Sequence, residues 1–252
     1  MKNNRAAKLF ALGTVAIMAI VFLSTQAVAA NKAEVKNSEI INSDISLSNG
    51  LYTSPVYTTI FEFNLAGYAW QGDDLAKVEI RLYDSQGWSQ WYQPESASGF
   101  DRDGWHIGIE PVIASGASRL QYKIFSNGQV DSFKIIYINT QTTAASQWNI
   151  FDLLFSKAQA TGPLNVISRA EWEADEDWRL DAGGDELWPA EYQWPEKFVI
   201  HHTAGSDGTS DPKGTIRGVY YWHAVVLGWG DIGYNYIIDQ RGNIYEGRYG
   251  GD

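Results

Sequence analysis

Three of the four histidines in this 252-residue chain lie close together in the sequence, at positions 201, 202 and 223. Imidazole is the commonest metal ligand among side chains and titrates near neutral pH. His201 and His202 end the apolar run 198–200, and Tyr234 follows His223 after a short glycine-rich stretch. A cleft with imidazole and phenol groups, able to bind a metal ion, is one interpretation of this pattern.

Each of these residues also has a structural interpretation. Neighbouring residues of a strand face opposite sides, so His201 and His202 cannot easily bind one metal ion together. One of them should face a cleft and the other the interior. His223 shares a helix face with several apolar residues, where a hydrogen-bonded core histidine is the usual case. The residue types alone leave a metal site and ordinary packing both open.

Local signals assign these residues to secondary-structure elements. Residues 197–200 are predicted as a short strand that leads into His201. Asp211 and Pro212 mark the start of a helix, because Asp accepts hydrogen bonds from the first turn and Pro suits its first position. Gly228 is predicted to end this helix.

The last elements are predicted as a hairpin. Residues 234–239 and 244–248 form its strands, and the turn between them contains Gly242, which tolerates positive φ. Further upstream, Ser168 and Glu171 have the spacing of a capping box, in which each side chain bonds to the backbone near the other.

Residues 51–139 have a different pattern, with short β-rich runs separated by turn signals. Strands are predicted near residues 59–65, 76–83, 120–125 and 133–138, which indicates a small all-β sandwich-like domain. Residues 31–50 and 140–164 are predicted as linkers, the second with a short helix over 148–158.

Trp88 and Trp91 lie three positions apart in the β-rich part, so a regular strand would point them to opposite faces. We expect them to fill the core or cover a sheet edge. Stacking on sugars is the alternative. His106 is given no role.

The first 30 residues have the pattern of a secretory signal peptide: three basic residues, the apolar run 9–23, and a small-residue exit. The run is shorter than the ~20 residues that a membrane-spanning helix needs. Cleavage after Ala29 or Ala30 is predicted. The product would have no stable membrane span and would be secreted, periplasmic or bound to the cell wall.

The composition excludes several classes of function. The net charge is −11, and it becomes −14 without the three basic residues of the first 30, which contain no acid. Nucleic-acid binding is disfavoured, because such proteins are normally basic. The chain has no Cys, which excludes a disulfide scaffold, a thiol nucleophile and a Cys metal ligand within it.

Four segments in the last third of the chain indicate more about function in combination than each does separately. They read ISRAEW from residue 167, FVIHHTA from residue 198, GWGDIGYNY from residue 228 and YEGR from residue 245. In this order they resemble the zinc-dependent N-acetylmuramoyl-L-alanine amidases, which include the peptidoglycan recognition proteins and the phage-lysozyme-type amidases. The resemblance implies that residues 165–252 are the N-terminal part of an α/β amidase domain, a mixed sheet flanked by helices.

The resemblance also implies an activity. The family hydrolyses the amide between the lactyl group of N-acetylmuramic acid and L-Ala of the stem peptide, with Zn²⁺ held by three protein ligands activating a water. The first His of the second motif, His201, matches a zinc ligand, and His202 is then structural. Tyr234 matches the catalytic Tyr that orients the water or stabilises the tetrahedral intermediate.

The substrate-binding positions implied by the resemblance are His223, Gly228, Trp229 and Arg248. His223 would line the peptide groove. The Gly-Trp pair and Arg248 accompany diaminopimelate-type stems in the recognition proteins, and Arg can bind the extra carboxylate of diaminopimelate with two hydrogen bonds. Peptidoglycan is the expected partner.

The sequence departs from the family in one respect. The second His ligand, the third ligand and a further active-site polar residue come later in the family than residue 252, so we expect this chain to be part of a longer enzyme. A non-catalytic peptidoglycan-binding module is the alternative. In a third interpretation, the β-rich part makes this a surface or interaction protein.

Overall fold

The computed structural model describes residues 34–94, 101–141, 165–192, 194, 196–205 and 209–250. The predicted signal peptide and the helix predicted over 148–158 lie outside these residues. In the described part, no helix is both long and apolar enough to cross a membrane.

The first half of the described chain, residues 36–139, forms one sheet of nine strands, which we name the sheet region. Its strands are β1 (Lys36–Asn42), β2 (Leu51–Thr53), β3 (Tyr57–Gly72), β4 (Lys77–Asp84), β5 (Gly87–Trp88), β6 (Asp101–Arg102), β7 (Trp105–Ile107), β8 (Val112–Phe125) and β9 (Val130–Asn139). The main order is β1-β9-β3-β8-β4-β5, with β2 on β8 and the β6–β7 pair on β3. All of these pairings are antiparallel.

Alternating apolar residues account for the main strands. On β4, Val78, Ile80 and Leu82 are buried, because side chains of a strand alternate between its two faces. Val78 pairs with Ile124 and Ile80 with Tyr122 across the sheet. The four strands predicted from sequence lie within or almost within β3, β4, β8 and β9, so these predictions are confirmed.

Two expectations about this region need correction. All nine strands belong to one hydrogen-bonded sheet, so the two-layer sandwich is not confirmed. The linker predicted over 31–50 is wrong for Lys36–Asn42, which is β1 and pairs with β9 along its whole length. The segment is polar because β1 is an edge strand and most of it is exposed or half-buried. The domain boundaries themselves stay predictions.

The aromatic pair of the sheet region lies at the edge strand β5, as one of its expectations had it, but does not alternate as in a regular strand. The guanidinium of Arg81 lies 4.5 Å from the Trp88 ring centroid and 4.6 Å from that of Trp91. Both rings therefore contact the Arg81 side chain instead of pointing to opposite faces of a strand. The alternation rule fails because β5 ends at Trp88 and does not reach Trp91. Lys123 Nζ lies a further 4.1 Å from the Trp91 ring. These cation–π contacts engage both rings, which leaves less ring surface for sugars.

The second half, residues 165–250, we name the C-terminal segment. It contains β10 (Val166–Ile167), a 3₁₀ helix (Glu176–Arg179), α1 (Pro212–Tyr221), which continues as a π-helical turn (Trp222–Val226), β11 (Tyr236–Ile238) and β12 (Ile244–Glu246). β12 pairs parallel with β10 and antiparallel with β11. The predicted mixed sheet and terminal hairpin are therefore present, in a sheet-rich fold with few helices.

The predicted ends of α1 are confirmed. Asp211 caps the helix by accepting a 2.9 Å hydrogen bond from Gly214 N, and Pro212 is its first residue. Gly228 has φ +74°, a left-handed conformation that favours glycine just beyond a helix. The capping box is partly confirmed: Glu171 Oε2 accepts from Ser168 N at 2.8 Å, but a turn forms there instead of a helix.

The two halves share a hydrophobic core. Leu65 of β3 and Ile138 of β9 pack with Trp222 of the π-helical turn. Trp222 is fully buried, and a Cβ added at Gly67 of β3 would lie only 2.0 Å from its ring. Thr140 joins the halves as well, because its hydroxyl donates to Gly214 O at 2.6 Å.

The strand predicted over 197–200 is wrong. No regular structure is assigned there, and Phe198, Val199 and Ile200 are 87%, 79% and 83% exposed. A strand needs the backbone of a neighbour for its hydrogen bonds. Among the described residues, no strand pairs with this stretch.

Candidate functional site

Four of the six site residues predicted from sequence form one cluster of rings. The ring centroids of His201 and Tyr234 are 5.1 Å apart, those of His223 and Tyr234 5.3 Å, and those of His223 and Trp229 4.6 Å. His223 lies in the π-helical turn, and Trp229 and Tyr234 lie in the loop that leads to β11. Tertiary packing therefore joins three separate stretches of sequence at this site.

His223 is held as a neutral donor. Gly233 N donates to its Nδ1 at 3.1 Å, which puts the ring proton on Nε2. Nε2 is buried and has no hydrogen-bond partner among the described residues. Burial lowers the pKa of His223 to about 3, with His201 adding to the effect. Because an unsatisfied buried N–H is costly, this group favours an incoming acceptor.

Tyr234 is a neutral phenol at physiological pH. Burial raises the pKa of Tyr234 to about 12, and the charge of Glu110 contributes in the same direction. A phenol with this pKa keeps its proton and can donate it in a hydrogen bond to developing negative charge.

His201 differs from His223 in exposure and in the groups that surround its Nδ1. Its side chain is 45% exposed. Nδ1 of His201 lies 3.3 Å from His202 O and 3.5 Å from Glu110 Oε1. Both neighbours are acceptors, so they favour the proton on Nδ1 and leave a lone pair on Nε2. This is the form of imidazole that binds a metal ion.

His202 does not face the interior, which corrects the expectation from strand alternation. It is exposed, and its Nδ1 lies 3.1 Å from Thr203 O. The reason is that residues 201–203 are not in a strand, so the alternation rule does not apply to them.

Arg248 and Trp229 are linked through a residue that the sequence analysis missed. The Arg248 guanidinium lies 3.7 Å from the ring centroid of Trp188, and the ring centroids of Trp188 and Trp229 are 6.3 Å apart, edge to face. Arg248 Nη2 also donates to Pro189 O at 2.9 Å. Trp188 lies in an irregular acidic stretch without a motif, so no local pattern indicated it.

The loop that carries Trp229 and Tyr234 is held by a buried ionic network at Asp231. Arg169 Nη1 lies 3.1 Å from Asp231 Oδ1. Arg179 Nε lies 3.2 Å from Asp231 Oδ2, an ion pair whose N–H direction misses hydrogen-bond geometry. Tyr249 N donates to the same Oδ2 at 3.1 Å. Asp231 is completely buried, so these partners are what make its charge tolerable there.

A cavity of about 320 Å³ adjoins the cluster. It is lined by Tyr234 and Thr203, by Ile216 and Val219 of α1, and by Ile237 of β11, among others. The wall combines apolar side chains with polar and charged ones, among them Asp239, Gln240 and Arg241.

The predicted zinc ion does not find a complete ligand set in the described residues. Among them, no group of three or more His and acidic side chains is placed to hold a metal ion. A catalytic zinc site needs three protein ligands. His201 alone, with a lone pair on Nε2, has the chemistry of one such ligand.

Sequence comparison relates this chain to named proteins. It is 35% identical over 99 residues to peptidoglycan-recognition protein SC1a of Drosophila melanogaster, 37% over 93 residues to peptidoglycan-recognition protein SC2 of the same species, and 34% over 91 residues to peptidoglycan recognition protein 1 of Mus musculus. These matches cover 38%, 36% and 35% of this chain and 48%, 46% and 46% of the relatives.

The chain thus spans about half the length of the curated relatives it matches. No family model matches it, and no solved structure matches it significantly. The resemblance stated from the four motifs is confirmed by these relatives. The roles of the individual site residues stay predictions.

Proposed function

Because this chain is related to peptidoglycan-recognition proteins over about two-fifths of its length, we propose that it binds peptidoglycan through the ring cluster of its C-terminal segment. The observation that carries the proposal is the contact of His201, His223, Trp229 and Tyr234, which the relatives' names alone would not supply. The ligand then lies across this cluster and the adjoining cavity.

The groups of the cluster suit a muropeptide. The Nε2–H of His223 and the phenol of Tyr234 are neutral donors for the carbonyl oxygens of a stem peptide. Arg248, which is half-buried, offers a cation for a carboxylate of the stem, as a diaminopimelate-type stem carries. Trp229 and Trp188 offer ring surface beside it.

Sedimentation with purified peptidoglycan tests this proposal. Trp229→Ala should weaken binding at least tenfold, because aromatic residues in a binding groove contribute most of the affinity. Trp88→Ala is the matched control: the same change is made on β5, at the end of the main strand order of the sheet, and should leave binding unchanged.

Equal loss of binding in both variants, or none in Trp229→Ala, would remove the cluster as the binding site. Absence of sedimentation by the unmodified chain would overturn the proposed function itself. Peptidoglycans with lysine-type and diaminopimelate-type stems, compared in the same assay, test the role of Arg248.

The finer proposal is hydrolysis of the lactyl–L-Ala amide, with Zn²⁺ bound in part by His201 and with Tyr234 as the catalytic phenol. Its support is the resemblance and the tautomers: His201 leaves a lone pair for a metal, whereas Nδ1 of His223 is already used by Gly233. The described residues do not complete a zinc site, so we derive no catalytic step from them.

Release of free stem peptide from muropeptides, measured by mass spectrometry, separates the two proposals. Hydrolysis that is lost in His201→Ala and sharply lowered in Tyr234→Phe supports the amidase. The assay needs a protein with three zinc ligands, and binding without hydrolysis by that protein at any Zn²⁺ concentration supports a recognition module instead.

We also propose that the chain is exported, since peptidoglycan lies outside the cytoplasmic membrane. The basis is the predicted signal peptide over residues 1–30. N-terminal sequencing of the protein recovered from outside the cell would test this, and an intact Met1 would contradict it.

A further inference from the structure

Glu110 of the sheet region lies at the ring cluster of the C-terminal segment. It follows β7 and precedes β8, and its Oε1 is 3.5 Å from His201 Nδ1. Its side chain is only 14% exposed. Its charge also acts on Tyr234, whose pKa it helps to raise. A carboxylate from the first half of the chain is therefore part of the surroundings of both residues.

The short loop that carries Glu110 is fixed on both sides. Before it, Gly108 N donates to Tyr68 O at 2.9 Å, and Ile109 O accepts from Trp222 Nε1 at 2.9 Å. After it, Ile113 N donates to Ala204 O at 3.1 Å. The first two bonds tie the loop to β3 and to the π-helical turn that also contains His223. The third ties it to the stretch that contains His201.

His201 receives little support from its own neighbours. Residues 197–203 are exposed and have no regular structure. Among the described residues, His201 contacts the backbone of its neighbour His202, the ring of Tyr234 and the carboxylate of Glu110. Two acceptors lie near His201 Nδ1, His202 O and Glu110 Oε1. Glu110 is the more rigidly held of the two, because the hydrogen bonds on both sides of it leave its loop little freedom.

We propose that Glu110 is a positioning residue of the candidate site. It holds His201 with the proton on Nδ1 and keeps the Nε2 lone pair available, as carboxylates do behind ligating histidines. In that case the sheet region contributes a positioning residue to the site and is more than a spacer. The importance of this arrangement for binding rests on the proposed function, but the arrangement itself can be measured in the free protein.

The test reads the tautomer of His201 directly. In long-range ¹H–¹⁵N spectra of the whole chain at neutral pH, the signals of His201 are assigned by their loss in His201→Ala. The unmodified chain should show a protonated Nδ1 and an unprotonated Nε2. Glu110→Ala should shift His201 towards a mixture of both tautomers. Glu110→Gln, which keeps an oxygen acceptor, should restore much of the original state.

Glu39→Ala is the matched control. Glu39 forms a surface ion pair with Lys134 on β1 and β9, and its loss should leave His201 unchanged. The melting temperature of each variant reports its folding. An unchanged tautomer in folded Glu110→Ala, or the same shift in Glu39→Ala, would overturn the proposal.

Peptidoglycan sedimentation of the same variants separates this proposal from the proposed function. Glu110→Ala should bind about 2- to 10-fold more weakly, the size of effect expected for the loss of one polar contact. A tautomer shift without any binding by the unmodified chain would reject the proposed function and leave the positioning role standing. Full binding with a shifted tautomer would limit Glu110 to a role other than recognition.

Discussion

The sheet region and the C-terminal segment are stabilised by different interactions. The sheet region has nine strands in one hydrogen-bonded network and a core of aromatic and aliphatic side chains, among them Tyr68, Trp70 and Phe133. In its described residues, the C-terminal segment has short strands of two or three residues and one α-helix. Its loops are held by the ion pairs of Asp231 with Arg169 and Arg179. Much of its core is shared with β3, β8 and β9.

This difference indicates that the site depends on parts with unequal stability. The backbone ladder of a sheet is cooperative and tolerates many side-chain changes. A buried ion pair tolerates few, because removal of one partner leaves the other charge buried. The ring cluster lies in the C-terminal segment, whose loops depend on the buried ion pairs. It is connected to the sheet region through Glu110, Gly67 and Trp222.

Asp231→Asn should have the largest effect. It leaves Arg169 and Arg179 buried, each 3% to 5% exposed, without their shared carboxylate. Arg169 and Arg179 keep the more exposed Glu176 and Glu186 as partners, so we expect a loss of about 3 kcal/mol, the lower end of the range for one partner removed from a buried pair. Hydrogen exchange followed by mass spectrometry should show faster exchange in the C-terminal segment and little change in β3, β4 and β8.

The control for this change is Asp185→Asn, an exposed Asp in the same segment, which should stay within about 0.5 kcal/mol of the unmodified chain. If Asp231→Asn accelerated exchange equally in both regions, the two would unfold as one unit and the comparison would fail.

Gly67→Ala should have the next largest effect, because its new Cβ would overlap the Trp222 ring. Overpacking of this kind costs about 1–3 kcal/mol. Urea unfolding measures it. In a Trp222→Phe background the smaller ring leaves room, so the same Ala should cost less. Equal costs in both backgrounds would show that Trp222 is not what Gly67 accommodates.

The smallest effects concern the pH dependence of two turns, one in each region. Hydrogen bonds lower the pKa of Asp73, chiefly one from the Ser126 hydroxyl, and backbone N–H groups of Asp185 and Gly183 lower that of Asp181. Because both folded pKa values lie below the unfolded value, this stabilisation is present above pH ~4 and is lost as the pH falls through the folded value.

Comparison of unfolding at pH 7 and pH 3 measures these contributions. Asp73→Asn should reduce the pH dependence of unfolding, with local exchange changing around the 126–128 turn of the sheet region. Asp181→Asn should do the same only in the C-terminal segment. Asp74→Asn, at an exposed neighbouring position, is the control and should leave the pH dependence intact.

Much of the sheet region followed from the pattern of apolar residues. Strands β4, β8 and β9 were predictable because apolar and polar residues alternate over part of each and turns separate them. Strand β3 was predictable as a β-rich run, although its residues 63–70 are all buried. β1 was not, since an exposed edge strand needs few apolar residues. The contact of Trp88 and Trp91 with Arg81 was also missed. The alternation rule applies only within a strand, and β5 ends at Trp88 before Trp91 is reached.

The sequence by itself predicted which residues of the C-terminal segment carry chemistry, and the structure brings His201, His223, Trp229 and Tyr234 together. Motif order assigned His201, His223, Trp229, Tyr234 and Arg248 to one site, and local capping signals located α1. These predictions depend on residues a few positions apart or on whole motifs, so they can be made from the sequence without a structure.

Only the tertiary structure decided how the site is supported. The distance between Glu110 and His201 and the place of Trp188 beside Arg248 both arise from contacts between residues distant in sequence. The same holds for residues 197–200, whose apolar sequence favours a strand that forms only if another backbone lies beside it. A hydrogen bond needs both partners in place, and local sequence specifies only one of them.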